Sequence, residues 1–333
     1  MSEQPSETPL LAVDGLEVAY HTEEQSLTAL HDVTLSVRPS EIVGIVGESG
    51  CGKSTLSAAL MGLLPPNGEL TAGQIVYGTT EVLRLRPEEL RRLRGSELAM
   101  IFQDPLSSLN PTFTIGVQMR DVLRAHGVRG DRQRVVSMLE RVGIPDAEQR
   151  LGDYPHQFSG GMRQRIMIAM ALMLEPALLI ADEATSALDV TLEAQILELL
   201  RGLRDERGTA ILFISHDLGV VAQLCDRIVV MYAGRAVEEA DVFALYARPL
   251  HPYTEALLAA VPSRKRRGER LEAIPGRVPS LSALPAGCKF VDRCTYAQPV
   301  NRDREPRWLQ LDGRHVRCNR YDPESGYEGV VPA

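Results

Sequence analysis

Gly47-Glu48-Ser49-Gly50-Cys51-Gly52-Lys53-Ser54 sets glycines, a lysine and a hydroxyl at the spacing that cradles a phosphate chain. The glycines let the backbone curl until its N–H groups point inward at phosphate oxygens. Lys53 adds a compact positive charge for the β- and γ-phosphates, and Ser54 offers a hydroxyl to Mg²⁺. A helix starting near Lys53 directs its positive end at the same anion. Farther along, Asp182 and Glu183 close the apolar run Leu178-Leu179-Ile180-Ala181. An aspartate at a strand end suits Mg²⁺, and the glutamate beside it suits a general base acting on water. A third stretch, Phe158-Ser159-Gly160-Gly161-Met162-Arg163-Gln164, presents N–H groups and a hydroxyl where a helix is predicted to begin. That arrangement is a nest for a second anion.

These groups need elements to hold them. Ile42–Val46 is a short β-branched run ending in glycine, which predicts a buried strand feeding the loop. Thr55–Leu64 has helical spacing and stops at Pro65-Pro66. Leu10–Val18 and Ala29–Val37 alternate as half-buried strands do. Amphipathic helices are predicted at Gly116–His126 and Arg132–Val142, and Ser159 is the N-cap of a helix running to Leu174. On that helix Met162, Met167, Met170 and Met173 read as packing. The strands Leu178–Ala181 and Ala210–Ile214 flank a helix at Leu192–Glu206, an alternation that predicts parallel sheet.

Beyond about residue 245 this rhythm fades. Pro249, Pro252, Pro262, Pro275, Pro279 and Pro285 punctuate an irregular region, in which Arg264-Lys265-Arg266-Arg267 reads as a solvated linker. The chain has 333 residues and a net charge of −8, which argues against nucleic acid as the main partner. The apolar runs, such as Ile228–Tyr232, fall far short of a bilayer span, and Met1–Pro9 has no signal-like apolar core. A cytoplasmic protein that meets a membrane only through a partner is expected. Cys51 and Cys225 stand alone, with Cys51 read as inert packing in the loop. Cys288, Cys294 and Cys318 cluster near the C-terminus, where a reducing compartment favours metal binding or buried thiols over disulfides.

At Ser159-Gly160-Gly161 the chain resembles the signature of ATP-binding-cassette (ABC) ATPases, and further landmarks of that family follow in order. Gln103 resembles the Q-loop glutamine, Ser186-Ala187-Leu188-Asp189 the D-loop, and His216 in Ser215-His216-Asp217 the switch histidine. Tyr20 stands where the family places an aromatic ring on adenine. The resemblance implies an α/β fold: a RecA-like core with an antiparallel β subdomain and a helical subdomain at about 104–164. It divides the chain into a disordered leader (1–9), an ATPase domain (10–250) and a small irregular C-terminal domain (251–333). It implies nucleotide contacts from Tyr20, from Gly47, Glu48, Ser49, Gly50, Cys51, Gly52, Lys53, Ser54 and Thr55, and from Ser159, Gly160, Gly161 and Met162. Mg²⁺ falls to Ser54, Gln103 and Asp182, and catalysis to Glu183, His216, Lys53 and Gln103. In the family the signature reaches the ATP held by the opposite subunit, so head-to-tail pairing buries two ATPs.

Ile101-Phe102-Gln103-Asp104-Pro105-Leu106-Ser107-Ser108-Leu109-Asn110-Pro111 and His251-Pro252-Tyr253-Thr254 resemble the peptide/nickel importer branch. That branch implies a second, different ATPase subunit, two permease subunits, an external solute-binding protein, and a place on the cytoplasmic face of the membrane. An exporter is disfavoured by His251-Pro252-Tyr253-Thr254. A nucleic-acid clamp is disfavoured because neither a long coiled-coil insertion nor a second cassette is present. Two departures stand out. Ala184 occupies a position usually held by proline, which loosens the turn without removing a catalytic group. Asn301 stands where the branch often has a third of four cysteines that hold an iron–sulfur site. Three readings stay open: a [4Fe–4S] cluster on Cys288, Cys294 and Cys318 with an unusual fourth ligand, zinc with His315, or metal-free thiols.

Overall fold

The computed structural model describes residues 8–104, 108–185, 188–261 and 274–329. The leader's first seven residues, Pro105 to Ser107, the D-loop residues Ser186 and Ala187, and the basic run Arg264–Arg267 lie outside them. Contacts divide the chain into two units interleaved in sequence. One is built on Val37–Ile42 and Arg84–Ile214, the other on Leu11–Ser36, Val43–Leu83 and the chain from Ser215 onward.

In the first unit, strands Leu98–Ile101, Leu178–Asp182 and Ala210–Ile214 form a parallel ladder, with Leu98 opposite Leu178 and Leu178 opposite Ala210. Every residue of the last two strands is buried, as parallel strands covered on both faces require. The crossover between them is the helix Val190–Arg207, capped by Asp189 and closed by Gly208 in the left-handed conformation. Helices Ile115–Ala125, Arg132–Arg141 and Gly160–Leu172 lie in the same unit, the second capped by Asp131 and the third by Ser159.

In the second unit, Leu11–His21 pairs antiparallel with Gly68–Tyr77 in a four-stranded sheet that also holds Ser26–Val37 and Thr80–Glu81. Leu11 and Val13 are buried at odd positions, Leu16 and Val18 at even ones. Two register shifts, one between Asp14 and Glu17 and one between Glu17 and Val18, accompany that change of parity and keep all four side chains in the core. The second ladder of this unit pairs Ile42–Val46 in parallel with Arg227–Tyr232, which runs antiparallel to Arg235–Asp241. The C-terminal hairpin Leu309–Leu311 and Arg314–Val316 extends it, Val316 lying opposite Glu238. Leu250, Val316, Cys318 and Tyr321 form a small core beneath the hairpin. Among the described residues no helix is long and apolar enough to cross a membrane.

Candidate nucleotide-binding site

The phosphate loop leaves the buried strand Ile42–Val46 and enters the helix Lys53–Leu60. Only glycine fits at its first position, because a Cβ on Gly47 would lie 2.3 Å from the Met231 carbonyl oxygen. Gly52 sits at the helix N-cap with φ 106°, a conformation that side chains resist. Lys53 is buried, and its Nζ donates to the carbonyls of Gly47 (2.7 Å) and Glu48 (3.1 Å), which holds the ammonium across the loop. Ser54 and Thr55 follow in the first turn of the helix. Tyr20 donates its hydroxyl to Thr55 Oγ1 at 3.2 Å, so the ring placed on adenine by resemblance stands beside the loop's helix. The Cys51 thiol is buried, and burial pushes its pKa up, which makes it a poor thiolate and fits its reading as packing.

Glu48 is anchored from elsewhere in the same unit. Its N–H donates to the Tyr253 hydroxyl at 2.8 Å, and its carboxylate accepts two bonds from Arg293, at 2.7 and 3.0 Å. Sequence reasoning passed over Arg293. It lies 245 residues from Glu48 in a stretch without periodicity, and no local pattern connects the two. Tyr253 was legible only as part of a branch marker.

His216 is exposed, immediately after Ser215, whose N–H donates to Ile45 at the strand preceding the loop. The capping work in Ser215-His216-Asp217 belongs to Asp217, which accepts from Gly219 and Val220 at the start of the helix Leu218–Leu224. With Glu48, Leu218, Leu257 and Ile274, His216 lines a cleft of about 540 Å³.

In the other unit, Asp182 is the buried last residue of its strand, and Glu183 follows with φ 49°, a strained conformation for a non-glycine residue. Glu183 donates its N–H to the Ile214 carbonyl at 3.0 Å. Its Oε2 accepts from Gln103 Nε2 at 2.9 Å, which brings the Q-loop amide and the general-base candidate together. Gln164, a buried residue of the signature helix, donates to the Ala184 carbonyl and so ties that helix to the turn where proline is absent. Ser159 caps the helix by accepting from Met162 N at 3.3 Å, and Ser159 and Gly160 are exposed.

The three C-terminal cysteines share one neighbourhood. Burial, followed by the charges of Cys288 and Cys294, raises the Cys318 pKa to about 12, and burial raises Cys288 to about 12 as well. Asn301 is buried and accepts from Gln298 N at 2.8 Å through Oδ1, so its side chain serves its own helical turn. His315 stacks on Trp308 with centroids 5.5 Å apart and faces Glu239. Among the described residues no group of three or more His, Cys, Asp or Glu is arranged to hold a metal ion. Asn301 thus supplies no fourth thiolate beside Cys288, Cys294 and Cys318.

Residues 30–186 match the family model described as ABC transporter, and residues 237–300 match the oligopeptide/dipeptide transporter C-terminal region. A Sinorhizobium fredii protein named as a peptide ABC transporter ATP-binding protein is 48% identical over 322 residues, covering 95% of this chain and 96% of that one. The chain belongs to the ABC transporter ATPases. A Brucella ovis protein named for peptide import ATP binding is 46% identical to this ABC ATPase, covering 95% of this chain and 98% of the relative. Among solved structures, the ATP-binding cassette MJ0796, dimeric in a post-hydrolysis state with ADP and Pi, matches at a TM-score of 0.64 and 26% identity. It covers 70% of this chain and 98% of its own. The cassette cbiO1 from Clostridium perfringens matches at 0.61 and 28%, covering 72% and 91%. The expected fold, an ABC cassette of mixed parallel and antiparallel sheet, is the one found.

Proposed function

We propose that this ABC ATPase is the ATP-hydrolysing subunit that energises a membrane importer of di- or oligopeptides. The observation that carries this reading is the match of residues 237–300 to the oligopeptide/dipeptide transporter C-terminal region, in a chain with a complete phosphate loop. The relatives named for peptide import support the same solute class.

In this reading the loop N–H groups and Lys53 bind the phosphates of ATP, with Tyr20 against adenine. The oxygen donors of Ser54, Asp182 and Gln103 would hold Mg²⁺, a donor set of the hard type that ion prefers. Mg²⁺ when bound supplies charge neutralisation at the phosphates. Glu183 takes a proton from the attacking water while Gln103 orients its carboxylate, and His216 positions the γ-phosphate. Ser159, Gly160 and Gly161 serve a second nucleotide on a partner cassette. The assembly proposed is a heterodimer of cassettes beneath two permease subunits, fed by an extracytoplasmic binding protein, on the cytoplasmic face of the membrane. The C-terminal thiols are assigned to packing.

Glu183→Gln in the full chain tests the chemistry. ATP binding should persist while turnover falls by about 10²-fold or more, the range of a lost general base. Normal turnover would refute the assignment. Deleting the gene should abolish growth on peptides as sole amino-acid source; unimpaired peptide uptake would move the solute class elsewhere.

A further inference from the structure

Glu48 is an anion inside a loop built to receive anions. Left free, its carboxylate would oppose the phosphates across a short distance in a partly desolvated site. The structure removes that conflict with groups from the far end of the chain. Arg293 is 4% exposed at its side chain and gives Glu48 a two-pronged fork, with Nη1 at 2.7 Å from Oε2 and Nη2 at 3.0 Å from Oε1. A planar guanidinium matched to a carboxylate in this way fixes direction as well as charge.

Arg293 is itself locked. Its Nε donates to the Pro275 carbonyl at 2.8 Å, and its Nη1 reaches the Tyr232 hydroxyl at 3.3 Å. The guanidinium carbon lies 5.7 Å from the Tyr232 ring centroid and 5.8 Å from that of Phe290, within cation–π range. Tyr232, Tyr253 and Phe290 pack on one another with centroids 4.7 to 5.5 Å apart. From the same cluster the Tyr253 hydroxyl accepts the Glu48 N–H, and the Glu48 carbonyl accepts from Lys53. Glu48 is thus held at its N–H, its carbonyl and its carboxylate. Two of those three restraints come from the C-terminal region.

We propose that Arg293 is a positioning residue for the phosphate loop: by holding Glu48 aside and neutralising it, the C-terminal region sets the affinity of the loop for ATP. The inference rests on the phosphate-loop reading above and makes the region after His251 part of the nucleotide site's control. The guanidinium acts through Glu48, on the loop's shape and charge.

Nucleotide affinity of the full chain, measured with a fluorescent ATP analogue, tests it. Arg293→Met should weaken binding about tenfold, the effect of one uncompensated charge near the phosphates. In the double variant Arg293→Met/Glu48→Gln the offending carboxylate is gone, and affinity should return to within about twofold of Glu48→Gln alone. A merely structural role predicts no such rescue. Wild-type affinity in Arg293→Met, or a double variant as weak as Arg293→Met, would overturn the proposal. Should Arg293→Met fail to fold by circular dichroism, Arg293→Lys keeps the charge but loses the fork. It should raise KM for ATP several-fold with kcat within about twofold; an unchanged KM counts against positioning. Lys53→Ala separates the two readings, since equal nucleotide binding by wild type and Lys53→Ala would sink the phosphate-loop reading irrespective of Arg293.

Discussion

His251 shows how far burial alone can change a residue's chemistry. It is 2% exposed, accepts the Tyr253 N–H at 3.0 Å through Nδ1, and so caps the helix Pro252–Ala259 in its neutral form. Burial, then the nearby Arg320 charge, lowers its pKa to about 3, whereas the unfolded chain takes that proton near 6.5. Between those values the unfolded state binds a proton that the folded state refuses, so stability falls as pH falls through this window and levels off below it. His31, lowered to about 4 chiefly by burial, acts in the same direction. His251 should remove about 1 kcal/mol between pH 7 and pH 5.5, and the half-buried, better-screened His31 less than that. Urea unfolding at the two pH values measures this. His251→Asn, which retains a capping acceptor, should flatten the dependence; an unchanged slope would show that His251 does not carry it.

At the scale of elements, a polar side chain fixes the start of several helices, with Asp131, Ser159, Asp189 and Asp217 among the caps. The reading from sequence began one helix at Leu192, two residues late, because Val190 and Thr191 break its apolar spacing. In the structure Asp189 accepts from Thr191 N at 3.1 Å and Leu192 N at 3.0 Å, and the helix starts at Val190. Asp189→Ala should therefore cost about 1 kcal/mol, and Asp189→Asn only a fraction of that, by urea denaturation. Equal losses would mean that charge and not capping matters there. The helix Lys53–Leu60 ends earlier than its apolar spacing suggested, since Met61 and Gly62 turn the chain before Pro65-Pro66. The helix Pro87–Ser96 went unread because it buries none of its residues and so writes no apolar stripe.

At the scale of the molecule, Ser159 and Gly160 are exposed, and the related cassette MJ0796 is dimeric in its post-hydrolysis state. The heterodimer proposal makes a definite prediction for the hydrolysis-deficient chain. With ATP and Mg²⁺, Glu183→Gln alone should stay monomeric by multi-angle light scattering and form a 1:1 complex only with the second cassette subunit of its transporter. Adding Ser159→Arg should abolish that complex by placing bulk and charge on the signature. An ATP-dependent homodimer would replace the heterodimer with a symmetric pair.

The phosphate loop, the Asp182-Glu183 strand end and the Ser159 cap were legible from sequence because each is contiguous. A few adjacent residues carry both the backbone conformation and the chemistry, and the buried strands beside them write continuous apolar runs. Leu10–Val18 reads from sequence as a plain alternation, and the register shifts on either side of Glu17 show only against the partner strand. Tertiary structure alone decided that Arg293 grips Glu48, that Asp217 rather than His216 caps its helix, and that Asn301 turns to Gln298. Those outcomes depend on which distant groups are buried together and what they must satisfy there. Local spacing records conformation, but it carries no information about the groups that burial brings together from across the chain.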